Sequence, residues 1–264
     1  MDDQIRGDSS TPTVFTLAVG SVENGSFETG DFQGWNTIGD TSIETEDLGI
    51  FLPDGTHQAL ITNGDSDAGG SVVDTDLEEF LDLASGAFDD LVASDAFEGS
   101  AIKQNLSLEA GDVVSFDWNF LTNENTPDDT FNDTAFLNFG GFTFELADTG
   151  ANFVDASRVD EFEEQTDTQT LTFRVNTAGT YTIGFGVIDV GDAIVNSALA
   201  IDDVAIQAAS NFNVTGEGDS SSSSSSQDVD LTFGEGGFMT FNDSSMAEAV
   251  SGFVFNSNGE LEFI

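Results

Sequence analysis

The sequence predicts a mainly β chain, an antiparallel β-sandwich of the jelly-roll type with one amphipathic helix inserted near residues 75–92. Three observations carry this expectation. Residues 21–206 are a succession of short apolar runs separated by clusters of Gly, Asn, Asp and Thr, the pattern of strands and turns. The composition suits strands and tight turns, with 25 Phe and 28 Gly among 264 residues and only 4 Lys+Arg. Hydrophobic residues make up 38% of the chain, more than a disordered polyanion carries, so most of it folds around a core.

The elements follow in order. Residues 1–20 form an N-terminal arm, polar up to residue 12 and then strand-like over Thr13–Val19, where Val14, Phe15, Leu17 and Val19 are the candidate contacts of an assembly strand. Residues 21–208 are the β-sandwich domain. Its clearest runs are Ala59–Ile61, Val113–Leu121, Ala135–Leu146, Thr170–Val175, Tyr181–Val190 and Ala198–Ile206. Between Thr75 and Val92 the period changes: Leu77, Phe80, Leu81, Ala84, Phe88 and Leu91 recur at three- and four-residue steps, which predicts a helix with its apolar face in the core. Thr75 and Glu78 match a capping box at its start, and Asp89 and Asp90 sit at the unfavourable end of its dipole. Residues 209–230, with seven consecutive serines at Ser220–Ser226, form a Gly/Ser-rich linker. Residues 231–264 hold four short β-like runs, too few residues for an independent core.

Charge excludes several functions. Fifty Asp+Glu against 4 Lys+Arg give a formal charge of −46, which bars phosphate neutralisation on nucleic acid and electrostatic attachment to anionic membranes. With no Cys there is no disulfide, thiolate site or cysteine nucleophile. No apolar run reaches the length of a membrane span, so no membrane insertion is expected, and the N-terminus lacks the marks of a secretory signal peptide. Residues 175–264 carry 13 Asp+Glu and no Lys or Arg. Such an acidic, Cys-free tail, ending in Leu261, Phe263 and Ile264, is similar to the C-termini of type I secretion substrates, whose export signal is uncleaved. An acidic halophile surface is the alternative.

Two sets of blocks bear a family resemblance. Asn24-Gly25-Ser26-Phe27-Glu28 with Gly30-Asp31-Phe32-Gln33-Gly34-Trp35, and the closing Ile201-Asp202-Asp203-Val204-Ala205-Ile206, resemble the ends of jelly-roll carbohydrate-binding modules. Glu98–Ile102, Ser115–Glu124, Phe131–Phe136, Gly184–Asp192 and Asn196–Leu199 resemble bacterial surface proteins of the PEP-CTERM or choice-of-anchor kind. No Pro-Glu-Pro motif or basic tail follows, which points to a released protein. The resemblance implies an extracellular or cell-surface location, and in the sugar-binding jelly rolls the residues matching Glu28 and Asp202 ligate a structural calcium. Calcium takes six to eight oxygens, and neighbouring first and last strands can join two distant carboxylates with backbone carbonyls to supply them.

A second carboxylate set comes from strand placement alone. Glu124 and Asp133 fall in one connection, and Asp189 and Asp192 lie where the strand 181–190 ends. If those ends meet, four like charges converge, and such a group raises its pKa values or recruits a cation, Ca²⁺ being the expected one. Solvated loops and a hydrolytic acid/base pair are the alternatives. Catalysis has little else behind it: His57 is the one imidazole, in a turn-like stretch, and no nucleophile elbow, Walker loop or His-Glu-x-x-His occurs. Trp35 and Trp118 read as core, the latter on one side with Phe116 and Phe120, which leaves a sugar-binding face without obvious platforms.

The expectation is therefore a secreted, non-catalytic, calcium-stabilised structural or adhesive protein of a bacterial surface or matrix. It would self-associate by strand addition through Thr13–Val19 or the tail once cations screen its charge. A module recognising an extracellular polysaccharide is the alternative.

Overall fold

The computed structural model describes residues 20–64, 70–156, 162–209 and four short strands beyond 230. In chain order the strands are β1 (Asn36–Ile38), β2 (Asp40–Glu44), β3 (Gln58–Thr62), β4 (Val72–Val73), β5 (Ala96–Leu108), β6 (Val113–Thr122), β7 (Thr134–Phe139) and β8 (Phe142–Ala147). They continue as β9 (Val154–Asp155), β10 (Glu164–Gln165), β11 (Gln169–Arg174), β12 (Gly179–Val190), β13 (Ser197–Gln207), β14 (Leu231–Phe233), β15 (Met239–Phe241), β16 (Phe253–Phe255) and β17 (Leu261–Phe263). Two short helices, α1 (Asp74–Phe80) and α2 (Ala87–Val92), lie between β4 and β5.

Two sheets face each other across one core. The smaller runs β1-β5-β12-β7-β8 with β4 beside β5, and the larger runs β15-β14-β11-β6-β13-β3-β2 with β9 and β10 attached at β6. Pairing is antiparallel within the sandwich, β14 alone joining β11 in parallel, and β16 pairs with β17 apart from both sheets. Alternation explains the faces. In β6 Val114, Phe116, Trp118 and Phe120 all enter the central core, and in β13 Leu199, Ile201 and Val204 meet them. Aromatic rings fill the space between the sheets: Phe185 stands 4.7 Å from Phe116 and 6.0 Å from Trp35, and Phe139 stacks on Tyr181 at 5.0 Å. Trp35 and Trp118 are buried, as their alternation and motif positions require.

The opening and closing motifs touch. Val204 N–H donates to Gly25 O at 3.0 Å, and a Cβ at Gly25 would fall 2.0 Å from Val204 O, so only glycine permits the approach. Gln104 in β5 grips the same segment, its amide accepting from Glu23 N and donating to Glu23 O.

Three expectations change. The helix near 75–92 is two helices. The chain leaves α1 through Asp82 at φ 59°, with Leu83 N–H donating to Glu78 O and Asp82 N–H to Glu79 O, which is a Schellman ending. Lys103 secures that end: its Nζ donates to Phe80 O, pairs with Asp82 at 3.0 Å and lies 4.7 Å from the Phe80 ring centroid. Second, there is no capping box. Val73 is the N-cap of α1, with no side-chain cap bond, and buried Glu78 turns away to accept from Phe88 N–H at the start of α2. Third, Ala135–Leu146 is a hairpin, because Gly140 and Gly141 take φ values of 62° and 88° and turn β7 into β8. The helices cover the outer face of the smaller sheet, where Leu77, Leu81 and Phe88 pack on Ala101, Phe136 and Ile188. The assembly candidates Val14, Phe15, Leu17 and Val19 and residues 210–230 lie outside the described residues.

Candidate functional site

Three groups of polar side chains stand out on the sandwich. The first is the predicted carboxylate set, which the strand ends do bring together at one end of the core. Asp133 ends the connection after β6, Asp189 is the buried penultimate residue of β12, Glu124 follows β6 and Asp192 sits in the next loop. Asp133 Oδ2 accepts from Ser197 Oγ at 2.7 Å and Asn63 Nδ2 at 2.8 Å, and the same Asn63 amide reaches Asp189 Oδ2 at 3.3 Å. Val190 N–H completes the set on Asp133 Oδ1. Burial, and then the charge of Asp133, holds Asp189 well above the ordinary carboxylate range, and burial likewise raises Asp133 against its hydrogen bonds. Glu124 is pushed up to about 7 by burial and by Asp133 and Asp192. Asn63 is the organiser that sequence reasoning missed: it also accepts from Ser197 N–H at 2.6 Å, so one buried amide ties β3 to β13 and to both carboxylates.

The second group is the pair matched to a calcium site. Glu28 and Asp202 both turn to the loop after residue 52. Glu28 accepts from Thr56 N–H, Thr56 Oγ1 and His57 N–H, and the Thr56 backbone bond is the largest cause lowering its pKa. Asp202 accepts from Asp54 N–H at 3.0 Å and Asp203 N–H at 2.7 Å, yet burial pushes it up to about 7. Oxygen donors of this kind suit a hard cation, and a cation would relieve Asp202. Among the described residues no three His, Asp or Glu side chains are arranged to hold a metal ion, so a calcium here would draw most of its six to eight oxygens from backbone carbonyls and water.

The third group lies on the outer face of the larger sheet and was not singled out from sequence. Register places Ala200 opposite Asn119 and Asp202 opposite Asp117, and Asp117 opposite Thr170. Gln58, Ala200, Asn119 and Thr168 line a shallow recess with Asp117 and Asp202, walled by Phe51 and Pro53, with no room for a water molecule. Gln58 is 2% exposed and Asn119 5% exposed, and Gln58 Nε2 and Asn119 Oδ1 have no hydrogen-bond partner in the protein. The other Asn119 amide atom is fixed by a 2.8 Å bond to Thr166 O, which sets the direction of Oδ1. Each such atom costs about 1–3 kcal/mol if nothing answers it. Phe51, at the rim, is 69% exposed.

No described helix is long and apolar enough to cross a membrane. No protein-family model matches the chain, and no characterised protein matches it in sequence. Among solved structures it is similar to the carbohydrate-binding module TmCBM61 in complex with β-1,4-galactotriose, at 14% identity over 70% of this chain and 96% of that one, with a TM-score of 0.36. It is also similar to TmCBM27, a carbohydrate-binding module described for specific mannan recognition, at 13% identity over 70% and 94% of the two chains, TM-score 0.36. A cleaved adhesin domain of Lys-gingipain from Porphyromonas gingivalis is similar at 12% identity over 69% and 95%, TM-score 0.38. What the chain has in common with these structures is a β-sandwich.

Proposed function

We propose that this chain is a non-catalytic polysaccharide-binding module that works outside the cell or at its surface. One observation carries the reading: the opening and closing motifs, which resemble the ends of sugar-binding jelly rolls, meet in the fold, Val204 N–H donating to Gly25 O at 3.0 Å. His57 fits a non-catalytic role, since its backbone N–H donates to Glu28 and its ring stands 2.9 Å from Thr56 Oγ1, within the loop that borders the recess. Export through an uncleaved C-terminal signal accords with the acidic tail. Pull-down on insoluble polysaccharides and a glycan array test the reading: saturable binding is expected, and its absence across neutral and acidic glycans overturns it.

The carboxylate set favours a second reading, a calcium-stabilised structural or adhesive subunit. Glu124, Asp133 and Asp189 share one end of the core with Asp192 in the adjoining loop, and a divalent cation would relieve the repulsion that, after burial, raises the first three, although among the described residues no three of them stand arranged to hold one without rearrangement. Glu28 and Asp202 would hold a further calcium against the 53–57 loop. Unfolding with millimolar calcium and with chelator decides the ion, because a ligand of the folded state raises the midpoint. Light scattering under the same conditions decides self-association.

A further inference from the structure

The chain carries the dipeptide Asn-Gly at Asn24-Gly25, Asn63-Gly64 and Asn258-Gly259. This pair has a chemistry of its own. With no Cβ on the glycine, its backbone nitrogen can approach the asparagine side chain and adopt the conformations that ring closure needs. The deprotonated nitrogen attacks Cγ, an N–Cγ bond forms, the Cγ–Nδ2 bond breaks and ammonia leaves. Water then opens the cyclic imide at either carbonyl, which yields aspartate or an isoaspartate whose backbone runs through the side chain.

At Asn63 the fold opposes every step. Asn63 is 1% exposed, and Gly64 beside it is buried. Nδ2 donates to Asp133 Oδ2 at 2.8 Å and Asp189 Oδ2 at 3.3 Å, while Oδ1 accepts from Ser197 N–H at 2.6 Å. The backbone is tied as well, Asn63 N–H donating to Ser197 O at 3.2 Å and Ser71 N–H to Gly64 O at 2.9 Å. Ring closure turns the amide carbon towards the next nitrogen and consumes water, so these bonds must open first. Asn24, by contrast, is half-buried, with Nδ2 on Asp31 O and Oδ1 accepting from Thr29 N–H.

We propose that Asn63-Gly64 is a latent self-modification site, closed in the native fold and converted to aspartate or isoaspartate whenever the end of the sandwich that joins β3 to β13 opens. Neither product lets that end close as before. Aspartate replaces the donor shared by Asp133 and Asp189 with a third acidic group. Isoaspartate adds a backbone carbon directly after β3 and puts Asn63's partners on Ser197 out of step. A local opening that would otherwise reverse is thereby made permanent, whatever ligand the module takes.

The test incubates the full chain in native buffer, in a series of sub-denaturing urea concentrations and fully unfolded, and follows each Asn-Gly by peptide mass mapping that separates isoaspartyl products. In the unfolded chain Asn63 should convert at the pace of Asn258; in the native chain it should convert about a hundredfold more slowly or less, and faster as urea rises. Gly64→Ala crowds the attacking nitrogen and leaves the Asn63 side chain alone, its new Cβ coming closest to the far end of the Asp40 side chain at 3.2 Å. It should suppress conversion in the unfolded chain. A wild-type chain converted while unfolded should then refold to a lower thermal midpoint than Gly64→Ala treated alike. Equal rates in the native and unfolded chains overturn the closure, and absence of conversion in the unfolded chain overturns the site. An unchanged midpoint after conversion overturns the consequence. The first comparison needs no variant, so it stands even where Gly64→Ala fails to fold.

Discussion

Replacing Asn63 by Asp puts the arrangement at the carboxylate end of the sandwich under direct strain. The amide nitrogen of Asn63 stands 2.8 Å from Asp133 Oδ2 and 3.3 Å from Asp189 Oδ2. In Asn63→Asp that donor becomes an oxygen, which removes the two donated bonds and adds a charge, while the acceptor for Ser197 N–H is kept. Two unit charges 4 Å apart interact by about 4 kcal/mol at an effective dielectric of 20, and since Asp189, raised to about 9, stays largely protonated near pH 8, the charge of Asp133 puts about 4 kcal/mol at stake. That rivals the roughly 5–15 kcal/mol that holds a typical domain together. Protonation restores an O–H donor in the position of the amide. The introduced group therefore has a raised folded-state pKa, and the stability it leaves is present at low pH and lost as pH rises through that value. Urea unfolding followed by tryptophan fluorescence is expected to give a loss of about 1–2 kcal/mol near pH 5 and several more near pH 8. An equal loss at both pH values, or none at either, refutes the placement of Asn63 between the two carboxylates.

Other expectations follow from the same structure. Wild-type stability should fall as pH rises from about 4 through about 7 and beyond, because Glu124 and Asp202 carry folded pKa values near 7 and Asp189 is raised further; a midpoint that climbs over this range contradicts those assignments. If calcium occupies either carboxylate group, millimolar calcium flattens that fall, and identical curves with chelator remove both metal assignments. Lys103→Met should cost about 1–2 kcal/mol, since it removes the Asp82 ion pair, a bond to Phe80 O and the contact with the Phe80 ring; a neutral result shows that α1 needs no C-terminal cation. Gly186→Ala should destabilise by about 1–3 kcal/mol or more, because its Cβ would fall 2.4 Å from Ser100 O and 2.5 Å from the Phe136 ring.

Where the sequence could be read, one face of a strand met the core and the other met water or a thin cover. β6 shows this best: Val114, Phe116, Trp118 and Phe120 alternate with Ser115 and Asp117, and the inward set is the one the pattern predicts. β5 hid for the opposite reason. It is the longest described strand, yet buried Glu98, Ser100 and Gln104 share the parity of the core residue Ile102 while Ala101 faces the helices, so polar and apolar residues do not sort by alternation. The split helix was masked because its apolar period continues across the break at Asp82, and a left-handed Asp carries no mark in a hydrophobic pattern.

The functional groups divide in the same way. Carboxylates announce themselves, and their convergence followed from placing Glu124, Asp133, Asp189 and Asp192 at strand ends that turned out to be neighbours. Gln58, Asn63 and Asn119 belong to no motif. Their importance comes from burial and from which hydrogen bonds the fold leaves open or closes, a property of three strands brought side by side rather than of any stretch of chain.

The central claim is the proposal that the chain is a polysaccharide-binding module. The most direct measurement is a titration of the isotope-labelled chain with neutral and acidic oligosaccharides, observing backbone amide resonances. Signals clustered on one part of the sandwich should shift together and saturate at one affinity with at least one sugar. Absence of any saturable shift across the whole set would contradict the account.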